Sequence, residues 1–157
     1  MQWKLWAIQS YSVYALHYAK QAFEEQEVPI GALIVSDKEE IIGYGSNKVE
    51  RNKTQTAHAE MEALQKAALQ KNNWRLENCR LYVTLEPCLM CMGALRLSRI
   101  KHVFFGAHSH LFGNHLDRDF FIPLYNKNIS VIKGGINEEE CAAILKKFFQ
   151  NKRKKSE

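Results

Sequence analysis

Between Trp3 and about Gln26 the apolar positions Ala7, Tyr11, Tyr14, Ala15, Tyr18 and Ala22 recur at helical spacing, with Lys20, Glu24 and Glu25 on the polar side. That stripe predicts an amphipathic helix ended before Pro29. The run from Ile30 to Ser36 is β-branched and apolar on both faces, as a strand near the middle of a sheet would be. Residues 36–40 read as a turn, and Ile41 to Gly45 returns as a hairpin partner. A polar loop over 46–57 leads into a helix that carries Met61, Ala63, Leu64, Ala67 and Ala68. Residues 71–78 connect to a third strand, Arg80 to Leu85, which feeds a short helix ending near Ser98. His102 to Gly106 reads as a fourth strand and Asn128 to Ile132 as a fifth, with Gly134 and Gly135 as breakers. Asn137 is placed to cap a last helix, with Glu138 to Glu140 in its first turn and lysines in its last. Strands alternating with helices predict an α/β layered architecture. Nothing repeats and no linker interrupts the pattern, so residues 1–157 are expected to form one domain.

Composition narrows the setting. Apolar content of 46% and charged content of 25% suit a globular protein with one core. No apolar run is long enough to span a bilayer, and the N-terminus lacks the basic-then-apolar order of an export signal. The expected compartment is the cytoplasm, with no membrane partner. Charge is uneven. Residues 146–157 hold Lys146, Lys147, Lys152, Arg153, Lys154 and Lys155 against the single acid Glu157, so the net +5 sits in that basic tail. Such a tail fits phosphate contacts, although lysines also suit a helix C-terminus for its dipole alone.

The chemistry concentrates in Thr84-Leu-Glu-Pro-Cys-Leu-Met-Cys-Met-Gly93. Pro87 favours the first turn of a helix, and Cys88 and Cys91 then leave one face of it as a bidentate clamp. Partial positive charge at the helix start favours thiolate. Upstream, His58 and Glu60 lie two apart and cannot share a face inside a regular helix. His58 is therefore expected at or beside a helix N-cap, with Glu60 just inside. One His and two Cys give three ligands, which leave a tetrahedral zinc one position open for water. Glu60 beside the metal is the candidate general acid–base. A structural zinc would need a fourth ligand at finger spacing, and a redox Cys-x-x-Cys would leave His58 and Glu60 unexplained. Cys79 and Cys141 read as packing residues.

The order His-x-Glu…Pro-Cys-x-x-Cys is the general signature of the zinc deaminases, and this chain matches it at every specified position. Together with Glu27-Val-Pro-Ile-Gly-Ala-Leu-Ile-Val35, Thr56-Ala-His-Ala-Glu-Met-Glu-Ala-Leu64 and Leu81 to Ala94, it resembles the cytidine/deoxycytidylate deaminase superfamily, and within it the bacterial tRNA-specific adenosine deaminases. The resemblance implies a three-layer α/β/α fold with a central five-stranded mixed sheet. It implies one zinc ion per subunit on His58, Cys88 and Cys91, with Glu60 as proton shuttle. Asn47 would hydrogen-bond the base, Val28 would line the pocket, and Ala59 and Ser109 would contact substrate. The implied reaction is adenosine to inosine at the wobble position of a tRNA anticodon stem-loop, by a homodimer. Two alternatives remain at this level: deamination of a free base or nucleotide, and a silent zinc-stabilised RNA-binding protein, against which an intact Glu60 argues.

One region departs from that family's pattern. The chain reads Gly106-Ala-His-Ser-His-Leu-Phe-Gly113, so Ser109 stands where an Asp is usual and His108 where an Arg is usual. His102, His108, His110 and His115 raise the question of a second metal, but with no carboxylate or Cys at ligand spacing they read as surface residues. Phe112, Phe120, Phe121, Phe148 and Phe149 could stack on bases, although core or dimer packing accounts for more of them.

Overall fold

Successive side chains along the middle strands point to opposite faces of a sheet, and helices cover both faces. The structure, a computed structural model, describes residues 4–113, 115 and 129–155. Its elements are α1 (Leu5–Glu24), β1 (Gly31–Val35), β2 (Ile41–Ser46), α2 (Val49–Asn52), α3 (Ala59–Lys71), β3 (Arg80–Leu85), α4 (Leu89–Leu97), β4 (His102–Ala107), β5 (Val131–Lys133) and α5 (Glu138–Lys154). The five strands form one sheet in the order β2-β1-β3-β4-β5. β1 runs antiparallel to β2 and β3, while β3, β4 and β5 are mutually parallel. The sheet is mixed, as expected.

Ala32 and Ile34, Leu81 and Val83, Val103 and Phe105 pack on one face with Ala63, Ala67, Met92 and Leu95 of α3 and α4. Leu33, Val35, Tyr82 and Phe104 take the other face, against Ile8 and Ala15 of α1. Period-two strands between two helical layers make three layers. On the α1 side, Cys141 of α5 packs with Leu16 and Ala107.

Strand direction decides where chemistry can gather. β3 and β4 are parallel, so Leu85 pairs with Ala107 and both strands run out at the same end of the sheet. β1 is antiparallel to β3, and its start at Gly31, paired with Ser46 at the end of β2, lies at that end too. One rim therefore collects the residues around 28–31, 46–47, 85–88 and 107–109. Helix α3 sits directly over β2 because Gly43 and Gly45 have no side chain there: a Cβ would overlap the carbonyls of Ala63 and Ala59, respectively.

Three expectations need amending. The loop after β2 contains α2, a single turn of polar residues with no apolar stripe to announce it. Asn137 does precede α5, but its φ of 51° and ψ of 40° turn the side chain away from the helix. Its Nδ2 donates to the Gln9 carbonyl at 3.4 Å instead of capping. The fifth strand starts at Val131, and Asn128 lies outside the described residues, as do Trp3, Phe120 and Phe121. The basic tail is largely the last turns of α5, which runs to Lys154. Among the described residues, no helix is long and apolar enough to cross a membrane.

Opposite the rim, Arg80, 1% exposed, reaches the β1–β2 turn through Nη2, 2.7 Å from Glu39. The Arg80 hydrogen bond holds the Glu39 carboxyl below its ordinary 4.5 against a smaller push from burial. A folded value below the unfolded one gives stability that is present above about pH 4.5 and lost as pH falls through the folded value. Glu39→Gln is thus expected to lower Tm at pH 7 and to approach the parent protein in acid, read by thermal melts across pH. Gly45→Ala should cost about 1–3 kcal/mol through overpacking against α3, read as a lower Tm at neutral pH.

Candidate metal centre

Two helices begin at the rim, and each begins on a candidate ligand. His58 occupies the N-cap of α3 with φ −77° and ψ 152°, and Cys88 the N-cap of α4 with φ −75° and ψ 172°. Their carbonyls accept the first helical bonds, from Glu62 N at 3.2 Å and Met92 N at 2.9 Å. Neither side chain caps its own helix, so both turn toward the other helix. Cys91 sits three residues into α4 and is fully buried.

His58 Nδ1 lies 3.6 Å from Cys88 Sγ and 3.5 Å from Cys91 Sγ. With Zn–S near 2.3 Å and Zn–N near 2.0–2.1 Å, a tetrahedral angle puts N and S about 3.5 Å apart. The three donors therefore already span edges of a zinc tetrahedron, and they form a group able to hold one metal ion. The group has three side chains, which leaves a four-coordinate ion one further position. The charges suit it. A hydrogen bond from Cys91, followed by one from His58, pulls Cys88 down to about 4. Cys91 is pushed up by its bond to Cys88 and by burial, and His58 is raised chiefly by Cys88. A cation that displaces the shared protons finds one thiolate preformed.

Glu60 points into the same space from the first turn of α3 and is 4% exposed. Burial pushes its carboxyl up to about 7. A carboxyl at that value can both take and give a proton at neutral pH. His58, Glu60 and Cys88 lie in the wall of a cavity of about 590 Å³. Apolar wall comes from Val28, Ile30 and Leu85 on the sheet rim and Leu145 and Phe149 on α5, and polar wall from Glu86 and residues 108–110.

The sequence-predicted contacts divide. Val28 and Ser109 line the cavity, as does Phe112. Ala59 puts its side chain into the core between sheet and α3. Asn47 is buried beside the rim, and its Nδ2 donates to Glu27 Oε2 at 3.3 Å. Phe148 is a core residue packed edge-on against Phe23.

Two buried carboxylates escaped the sequence reading. Glu27 accepts from Arg51 N at 2.6 Å and Glu50 N at 3.2 Å, fastening α2 beside Asn47. Glu86, 5% exposed, accepts from His115 N at 2.8 Å and Ser109 N at 3.2 Å. No spacing rule could pair Glu86 with residues 23 and 29 positions away; its place next to Pro87 was the one available cue.

Comparison with known proteins agrees with this geometry. Residues 6–107 match the cytidine and deoxycytidylate deaminase zinc-binding region. A tRNA-specific adenosine deaminase of Buchnera aphidicola subsp. Schizaphis graminum is 50% identical over 140 residues, covering 88% of this chain and 91% of that one. The tRNA-specific adenosine deaminase of Haemophilus influenzae is 43% identical over 141 residues, covering 89% and 82%. A structure solved in studies of A-to-I editing by tRNA deaminases at the wobble position superposes with a TM-score of 0.79. It is 36% identical and covers 87% of this chain and 99% of its own.

Replacing either Cys88 or Cys91 with Ser should lower bound zinc by about one ion per chain while the fold persists. Metal analysis beside far-UV circular dichroism checks both halves.

Proposed function

The chain belongs to the cytidine and deoxycytidylate deaminase family, and on that premise we propose that it hydrolyses adenosine to inosine at the wobble position of a tRNA anticodon. The observation that carries the proposal is Glu60 buried beside the three-donor group in one cavity. His58, Cys88 and Cys91 would hold zinc, which when bound acts as a Lewis acid that makes water nucleophilic at neutral pH. Glu60 would take protons from the attacking water, passing one to N1 of the base as the water oxygen adds to C6. Glu60 then gives the other to the exocyclic nitrogen as the C–N bond breaks and ammonia leaves. One residue serves as base and then acid because burial holds its carboxyl near neutrality.

Adenosine cannot reach such a cavity while stacked, so the anticodon nucleotide is swung out into it. Val28, Ile30 and Leu85 offer apolar contact to the base, and Phe149, 47% exposed at the mouth, offers a stacking face. Ala59, as the first residue of α3, presents an amide N–H that has no acceptor within the helix. Asn47 reads the base edge, held in place by Glu27. Ser109 meets the neighbouring backbone of the RNA. The lysines and arginine that end α5 supply phosphate contacts without reading sequence. Leu89 and Leu97, exposed on α4 beside the metal centre, give a second copy of the chain an apolar surface to cover, consistent with a homodimer. The working compartment would be the cytoplasm, where tRNA is found.

Glu60→Ala is expected to retain zinc and lose about 10²–10⁴-fold in turnover. The assay compares inosine formation in an anticodon stem-loop with ammonia release from free adenine, guanine and cytosine. Inosine in the stem-loop and no ammonia from free bases is the expected outcome. Activity on free bases alone would overturn the tRNA reading, and an active Glu60→Ala would overturn the proton shuttle.

A further inference from the structure

Beside the catalytic group stands a second convergence of ligand side chains. Glu86, His108 and His115 bring a carboxylate oxygen and two imidazole nitrogens to within 4.8 Å of one another. The three come from separate parts of the chain: the turn after β3 and positions 108 and 115 beyond β4. His115 Nδ1 lies 2.7 Å and His108 Nδ1 3.4 Å from the same Oε2 of Glu86. We propose that Glu86, His108 and His115 form a second divalent-metal site, which clips the loop over residues 108–115 to the end of β3.

Coordination geometry supports the assignment. Metal bonds of about 2.0–2.1 Å to nitrogen and carboxylate oxygen put neighbouring donors about 2.9–3.4 Å apart, depending on the bond angle. The His108 edge already has that length, and the His115 edge is a few tenths of an ångström short. As a hydrogen bond the 3.4 Å His108 contact is poor, so a direct proton link does not explain why that ring faces the carboxylate. Ring packing holds it there: His108 stands edge-on to Phe105 at 5.0 Å and to His115 at 5.9 Å. The carboxylate is 3% exposed at its side chain and is also held by the Ser109 and His115 amides. Amides orient a carboxylate in the way that outer contacts orient a ligand.

The donor set selects the ion. Two imidazoles and one carboxylate suit Zn²⁺, Fe²⁺, Co²⁺, Ni²⁺ or Cu²⁺ better than Ca²⁺ or Mg²⁺, which prefer all-oxygen sites. Glu86, His108, Ser109 and Phe112 line the same cavity as Glu60. An ion between Glu86 and the two rings would therefore fix Ser109 and Phe112 at the cavity wall. Its role is to order that wall. It holds no sulfur ligand, and the chemistry assigned to Glu60 does not depend on it.

Cobalt distinguishes the two sites. Titration of metal-free protein with Co²⁺ should saturate near two equivalents. One equivalent gives the intense near-ultraviolet charge transfer of thiolate ligands, and the other gives only weak visible bands. His115→Ala and His108→Ala should each remove the weak component alone and drop saturation to about one equivalent, whereas His110→Ala keeps both. His115→Gln serves as the check if the alanine variant folds poorly. Saturation of the parent protein at one equivalent, or two equivalents persisting in both His108→Ala and His115→Ala, would overturn the second site. Absence of the thiolate band would instead count against the catalytic zinc, so the two claims fail separately.

Discussion

Helices usually spend the residue before their first turn on themselves, since a capping side chain that satisfies an orphan amide stabilises by about 1 kcal/mol. At α3 and α4 this residue is His58 or Cys88, and neither side chain caps its helix. Both are turned outward to share one point. The free amides and positive ends of two helices are left facing that point, which favours thiolate on the cysteines. Holding two such ends together is the constraint that the rest of the fold serves. The glycines of β2 let α3 lie close, and β3 delivers Cys88 through the Glu86-Pro87 turn. The antiparallel β1 brings Val28 and Ile30 to the same rim.

The cavity then separates two tasks by environment. Three donors span the edges of a tetrahedron, while a fourth titratable group, Glu60, stands outside that group yet lines the same space. Its carboxyl is raised by burial, and the thiol beside it, Cys88, is lowered by hydrogen bonds. Neighbouring groups pushed in opposite directions can divide ligand and acid–base roles. Apolar walls from the rim and α5 flank them.

Much of this was legible in the chain because the signals were local. Short apolar runs marked β1, β3 and β4, and the Pro-Cys-x-x-Cys and His-x-Glu segments announced two helix starts. His58 at an N-cap followed from the fact that i and i+2 cannot share a helix face, and the structure has it there. Failures occurred where long-range geometry decides. α2 lacks any apolar stripe, and it forms where Glu27, more than twenty residues earlier, accepts its first amides. Asn137 has the right residue type for a cap, but its left-handed backbone directs the amide to Gln9. The histidines at 108, 110 and 115 showed no carboxylate at ligand spacing in the sequence, yet Glu86 reaches two of them across the sheet end.

The central claim is that two sulfurs and one imidazole hold the metal and leave its remaining position to solvent. Zinc K-edge absorption fine structure on protein loaded with one equivalent of zinc tests this directly. The account predicts two sulfurs near 2.3 Å and two nitrogen or oxygen scatterers near 2.0 Å, one of them the imidazole. It also predicts that a small anion such as cyanide or azide changes the non-imidazole scatterer. A third sulfur, or a shell that no exogenous ligand alters, would mean the metal is closed and structural.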